Sequence, residues 1–310
     1  MFSVIFPGQG SQIVGMAKDF HSKFEIVNKL FKEADEILDY PITRLILEGP
    51  KEDLNLTENT QPAIFLVSYS IFQLIKKEFG IDLNKANYFA GHSLGEYSAL
   101  SCSEALNFAD TLKILKSRGS AMQNAVPKGE GSMVAVLGSE INKIETIILE
   151  NKQKYECFIA NDNSEGQIVV SGSYNDLEKF ILDLKSNSIK NIKLPVSAPF
   201  HCKLMRKATE VMTTQINELN FSEPKNILIS NVTAAEVNKP EMFKDLLIRQ
   251  IESRVRWRES VLFMIKKGVN QFVEIGPGKV LSGLIKRIDK GIKVSAINTE
   301  EDIKLLNIND

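Results

Sequence analysis

Two short apolar runs without polar alternation, residues 2–6 and 88–90, each end at a glycine-bearing turn and lead into a stretch whose apolar residues recur at helical spacing. Such runs predict strands covered on both faces, because a strand with one wet face would alternate. The first run enters Pro7-Gly8-Gln9-Gly10 and then a helix over 16–38; the second enters Gly91-His92-Ser93-Leu94-Gly95 and a helix reaching Leu100. Between them, Thr60-Gln61-Pro62 predicts a helix start, with a capping hydroxyl and an early proline, for a helix over 63–79 that Gly80 ends.

The order changes after about residue 131. Strand patterns at 132–138, 155–161, 167–171 and 189–194 interleave with helical patterns at 140–151 and 175–186, the middle two strands pairing across 162–166. That β-α-β-β-α-β order predicts a ferredoxin-like unit. Strand patterns resume at 226–232 and 271–275, so the small unit reads as an insertion. The expected organisation is a discontinuous large α/β domain, 1–127 with 196–310, and a small α+β subdomain at 128–195.

Composition narrows the function classes. The 310 residues are enough for about two domains. The 38 basic and 39 acidic groups give a net charge of −1, so no overall field draws the chain to nucleic acid. No apolar run approaches the ~18 residues of a membrane span, and the N-terminus lacks the basic flank of a signal peptide. Cys102, Cys157 and Cys202 show no C-x-x-C spacing, which argues against a disulfide framework or a structural zinc site. A soluble cytoplasmic protein is expected.

The chemistry centres on Gly91-His92-Ser93-Leu94-Gly95. It fits G-x-S-x-G, a strand-to-helix turn that exposes a serine hydroxyl at its tip; the plainer reading is a glycine turn whose serine caps a helix. A serine nucleophile needs a base, and the chain holds three histidines. His21 sits among charged residues on the first helix, and His92 adjoins the serine with its side chain expected to point away. His201, in Ala198-Pro199-Phe200-His201-Cys202 beyond the strand near Leu194, is the base reached by elimination. Cys202 reads as a small apolar residue rather than a reactive thiol.

Arg118 lies on a helix over 108–124, beside Leu115 and Met122. Either it snorkels to solvent or it aims a fork into a cavity to hold a carboxylate. The glycine loops exclude nucleotide fingerprints, since Ile13 and Leu281 stand where G-x-G-x-x-G requires glycine, and no G-x-x-x-x-G-K-[ST] occurs.

With Phe6-Pro7-Gly8-Gln9-Gly10-Ser11-Gln12, Thr60-Gln61-Pro62-Ala63, Gly91 to Glu96, Arg118-Gly119, the segment 166–172, Ala198-Pro199-Phe200-His201 and Glu274-Ile275-Gly276-Pro277-Gly278 in order, the chain resembles the malonyl-CoA:acyl carrier protein transacylases over nearly its full length. Acyltransferase domains of polyketide synthases share the pattern, and a single catalytic unit favours the free-standing kind. The resemblance implies an α/β-hydrolase-like core, Ser93 as the acylated residue, His201 as its base, and the backbone N–H groups of Gln9 and Leu94 as an oxyanion hole. It also implies that the main-chain carbonyl of Gln250 orients His201, that Arg118 binds the malonyl carboxylate, and that Phe200 marks malonyl-type selectivity. The substrates would be malonyl-CoA and phosphopantetheinylated acyl carrier protein, with no cofactor and no metal, in a monomer.

Two other readings use the same residues. A serine hydrolase would add an acid, with Asp110 and Asp162 available between serine and histidine in chain order. A catalytically silent carrier-binding module would form no acyl adduct. Arg254, Arg256, Arg258, Lys266, Lys267, Lys286 and Arg287 read equally as a docking patch for an acidic carrier or as a face balanced by nearby acids.

Overall fold

The computed structural model of the chain describes residues 1–196 and 198–308. Among the described residues ten strands form two sheets: β1 Phe2–Phe6, β2 Tyr88–Gly91, β3 Gly131–Leu137, β4 Cys157–Ser164, β5 Gln167–Ser173, β6 Lys190–Lys193, β7 Ile227–Ile229, β8 Glu236–Val237, β9 Gln271–Ile275 and β10 Lys293–Ile297. The first sheet has the order β10-β9-β1-β2-β7-β8, parallel except for β8 against β7. The second has the order β4-β5-β3-β6 and is antiparallel throughout.

The unbroken apolar runs have the cause that the sequence suggested. All five residues of β1 are buried, with Val4 and Phe6 in one hydrophobic cluster and Ile5 in another on the opposite face. Phe89 against Tyr88 and Ala90, and Val273 against Phe272, divide in the same way. Helices therefore cover both faces, as a parallel sheet requires. On one face the long helix Thr57–Glu78 sets Phe72 edge-on to Phe89 at 5.8 Å between ring centroids.

The second sheet packs one face on helices Ile141–Glu150 and Tyr174–Ser186 through Val134, Val136, Ile144, Val170 and Phe180. The alternate residues of its strands, including Met133, Ala135, Asn161, Asn163 and Val169, line a cavity facing the first sheet. This alternation puts two amide side chains of β4 opposite the end of β2. The second sheet is tied beside that cavity to the segment leading into helix Trp257–Lys266: Asp162 N donates to Val255 O at 3.0 Å, Val255 N donates to Ala160 O at 2.8 Å, and Arg258 grips the buried Asp162 carboxylate.

The element order 131–193 is the predicted β-α-β-β-α-β, but several boundaries differ. The expected helix over 16–38 is broken into Lys18–Lys23 and Glu25–Leu38, because Phe24 is extended at φ −118° and ψ 118°. The long helix begins at Thr57, before the predicted start. Thr60 does not cap it; its hydroxyl donates to Leu54 O at 2.6 Å and ties the preceding turn down, while Pro62 lies inside the helix, in its second turn, where its ring nitrogen donates no i→i−4 bond. β4 runs on to Ser164, which shortens the turn to Glu165-Gly166, with Gly166 at φ +71°. No helix among the described residues is long and apolar enough to cross a membrane.

Candidate active site

The turn after β2 brings the chain back on itself so tightly that only glycine fits at its ends. A Cβ on Gly91 would lie 1.9 Å from the Gly95 carbonyl, and one on Gly95 would lie 2.3 Å from Phe6 O. Between them Ser93 is held in the left-handed region at φ +53°, a conformation that costs a non-glycine residue about 1 kcal/mol or more. Asn231, just beyond the end of β7, supports it: Ser93 N donates to Asn231 Oδ1 at 2.7 Å, and Asn231 Nδ2 donates to Gly91 O at 2.7 Å. His92 turns to Asn163 of β4, with Nε2 and Oδ1 2.9 Å apart.

His201 enters from the segment after β6, also in left-handed backbone at φ +58° and buried. Ser171 Oγ donates to Phe200 O at 2.6 Å and pins the residue before it. Its Nε2 lies 2.8 Å from Ser93 Oγ, and its Nδ1 lies 2.9 Å from Gln250 O. Gln250 is the last residue of helix Pro240–Gln250, where a carbonyl has no intrahelical partner and carries the negative end of the helix dipole. A carbonyl can only accept, so Nδ1 carries the proton and Nε2 is free to accept from the serine hydroxyl. Burial, and then the nearby Arg118 charge, push the His201 pKa down to about 3, the Gln250 carbonyl opposing them. The imidazole is neutral around neutral pH, as a base must be.

Asp110 and Asp162 do not form a triad. Asp110 pairs with Asn107 at the start of helix Phe108–Gln123, and Asp162 is engaged by Arg258. The Nδ1 position that an acid would take is held by the carbonyl.

Arg118 does not snorkel. It is 1% exposed, with Nη1 donating to Gln61 Oε1 at 2.7 Å and Nη2 donating to Gln250 Oε1 at 2.8 Å and to Ser93 Oγ at 3.3 Å. Its Nε is buried without a partner among the described residues. The guanidinium lines a cavity of about 230 Å³ between the two sheets, together with Ser93, His201, Gln9 and Phe200, the wall being completed by Met122, Met133, Val169 and Leu194. A more open groove of about 710 Å³ touches His201 from its other side but does not reach Ser93. The smaller cavity is where Ser93, His201 and Arg118 converge.

Of the remaining residues singled out in the sequence, Gln9 lines this cavity, whereas Leu94 is not among its lining side chains. Leu94 is buried in the core, and its N–H stands before the first turn of helix Gly95–Cys102. Neither that N–H nor the N–H of Gln9 has an acceptor among the described residues. Cys202 is buried, donates to Pro199 O at 3.0 Å, and has its thiol pushed up to about 12 by burial, which fits the apolar reading. The basic residues are largely neutralised: Arg254 pairs with Glu145 and Glu259, Arg256 with Glu259, Arg258 with Asp162 and Lys267 with Glu236.

Asn231, Asn163 and Glu96 receive no role from the sequence reading. Asn231 follows a parallel strand at its C-terminal end, where sites in such sheets gather, and that is the one signal available for it. Glu96 is buried, and its Oε2 accepts from Gln250 Nε2 at 2.6 Å and from Asn231 N at 3.1 Å.

Comparison with known proteins identifies the family. The family described as acyl transferase domain matches residues 3–303. The malonyl CoA-acyl carrier protein transacylase of Bacillus subtilis is 40% identical over 303 residues, covering 97% of this chain and 94% of that protein. Its Escherichia coli K12 counterpart is 37% identical over 298 residues, covering 96% of each. The crystal structure of an acyl-carrier-protein S-malonyltransferase from Bartonella henselae superposes with a TM-score of 0.95 at 40% identity, covering 98% of this chain and 97% of that one. A malonyl-transacylase solved in complex with a type II polyketide synthase acyl carrier protein gives 0.94 at 36% identity, covering 98% and 97%. The chain belongs to the acyl transferase domain family and, within it, to the malonyl-CoA:acyl carrier protein transacylases.

Proposed function

We propose that this chain transfers the malonyl group of malonyl-CoA to the phosphopantetheine thiol of acyl carrier protein through a malonyl ester on Ser93, supplying fatty acid elongation. The observation that carries the reading is the meeting of Ser93, the unprotonated Nε2 of His201 and the buried Arg118 in one cavity.

In the first half-reaction the Ser93 hydroxyl gives its proton to His201 Nε2 as Oγ attacks the thioester carbonyl. The charge that develops on the carbonyl oxygen falls to the unpaired N–H groups of Gln9 and Leu94, each such donor being worth about 3 kcal/mol. The imidazolium formed is steadied by the Gln250 carbonyl on Nδ1, and its proton passes to the departing CoA thiolate. In the second half-reaction His201 takes the proton of the carrier thiol as its sulfur attacks the ester carbonyl, and returns that proton to Ser93 Oγ as the ester C–O bond breaks. The kinetics are ping-pong.

Arg118 receives the distal carboxylate of the acyl group. An acetyl group would leave the buried guanidinium without that anion, and a buried unpaired donor is penalised. Phe200 closes the wall beside His201 and limits acyl size.

The finer architecture belongs to the same reading: the parallel sheet is an α/β-hydrolase-like core, 1–127 with 196–310, and 128–195 is a ferredoxin-like subdomain whose sheet order β4-β5-β3-β6 fits that topology. The enzyme works as a cytoplasmic monomer without cofactor or metal. A hydrolase would release free malonate, and a silent module would acquire no acyl group. Product analysis with malonyl-CoA, with and without phosphopantetheinylated carrier, separates the three: malonyl-carrier is expected, whereas malonate alone, or no turnover, contradicts the proposal.

A further inference from the structure

The side chain of Gln250 is committed on both edges. Its Oε1 accepts from Arg118 Nη2 at 2.8 Å, and its Nε2 donates to Ser93 O at 3.1 Å and to Glu96 Oε2 at 2.6 Å. The amide has one possible orientation, since a guanidinium only donates and must face the oxygen. A single amide therefore separates a buried cation from a buried carboxylate. The proposed function brings a second carboxylate, that of the acyl group, to the same cation. Two anions drawing on one guanidinium away from water cannot both stay ionised without cost.

Resting on the malonyl-transfer reading, we propose that Glu96 is a positioning residue that shares Arg118 with the acyl carboxylate through Gln250, so that entry of a malonyl group is coupled to uptake of one solvent proton by Glu96.

The surroundings of Glu96 leave it as the group that titrates. Helix Phe108–Gln123 presents Arg118, which stays charged, and Tyr97 on the helix of Glu96 itself is pushed up to about 12 by burial. His201 is held at about 3 and His92 below its ordinary value, both first by burial. Ser230 and Asn231 beyond β7, and Gln250 from its helix, are neutral partners. Burial pushes Glu96 up to about 7, with Gln250, Asn231 and Arg118 pulling the other way. Before malonyl entry Glu96 therefore carries a substantial negative charge around neutral pH, and that charge is the one a second anion would displace.

The test is steady-state kinetics of the full chain with malonyl-CoA and phosphopantetheinylated carrier, from about pH 6 to about pH 8.5, for the wild type and Glu96→Gln. Glutamine keeps an acceptor oxygen for Gln250 and Asn231 while removing the charge. The wild-type KM for malonyl-CoA is expected to rise about fivefold or more with pH, with little change in kcat, and in Glu96→Gln it stays near the low-pH value throughout. Ionisations of the substrates are common to both proteins and cancel in the comparison. A wild-type pH profile in Glu96→Gln overturns the proposal, and a purely structural role would lower kcat without flattening KM. Should the variant fail to fold, proton uptake on acylation of the wild type, measured by calorimetry in two buffers at about pH 7.5, decides alone: uptake supports the proposal and none overturns it. Failure to form a malonyl adduct on Ser93 would instead sink the functional reading, which keeps the two failures distinct.

Discussion

Ser93 and His201 meet at 2.8 Å across 108 residues of chain, and both hold left-handed backbone, at φ +53° and +58°. The coincidence ties the chemistry to two strained turns that are braced from outside, by Asn231 on one side and by Ser171 on the other.

Asn231→Ala removes both of its hydrogen bonds to the first turn and leaves Ser93 N and Gly91 O without that partner. At about 1–3 kcal/mol for each buried group left unsatisfied, kcat is expected to fall about 10- to 100-fold. The folded state should also unfold at lower urea. Parallel measurement of turnover and urea midpoint checks this; an unchanged kcat would mean that the turn holds its shape without Asn231.

Gly95→Ala should be more damaging to the fold than to any single chemical step. Its methyl would lie 2.3 Å from Phe6 O and would push the elbow helix off β1. A loss of roughly 3 kcal/mol or more is expected from overpacking against backbone, read as a lowered thermal midpoint. A variant as stable as the wild type would show that the helix can shift freely.

Arg118→Ala should separate selectivity from transfer. The kcat/KM for malonyl-CoA is expected to drop about 10- to 100-fold relative to that for acetyl-CoA, the range for losing hydrogen bonds to a charged group. Equal losses for the two donors would remove the carboxylate-binding role.

How much of this the sequence exposes depends on how local each cause is. β1 and β2 are legible because an apolar run that ends at a glycine turn needs no distant information. The break at Phe24 is not, since the apolar spacing continues through it while its backbone alone turns extended. Pro62 misleads because the hydroxyl beside it serves the previous turn. Arg118 is ambiguous from spacing alone, and what keeps it from solvent is Gln61 and Gln250, carried by two other helices. Glu96 and Asn231 take their positions from β2 and β7 lying side by side, a pairing that no local pattern encodes.

The depressed pKa of His201 has consequences for rate and for stability. With its base unprotonated down to about pH 3, acylation at saturating malonyl-CoA should hold its rate from about pH 8 to about pH 5, without the midpoint near 6.5 of an ordinary histidine. The unfolded chain takes up a proton on this ring near pH 6.5 and the folded chain does not, so stability falls as pH drops below ~6.5. His92, also held low, adds to the same slope. Urea midpoints across this range, with His201→Gln reducing the slope, check the sign; a slope that His201→Gln leaves unchanged would refute it.

The central assertion is that Ser93 carries the acyl group between donor and carrier. Intact-protein mass spectrometry after brief exposure to malonyl-CoA, followed by peptide mapping, addresses it directly. One added malonyl group on Ser93, absent from Ser93→Ala and discharged by phosphopantetheinylated carrier, is the predicted result. An unmodified serine, or an adduct that the carrier cannot remove, would contradict it.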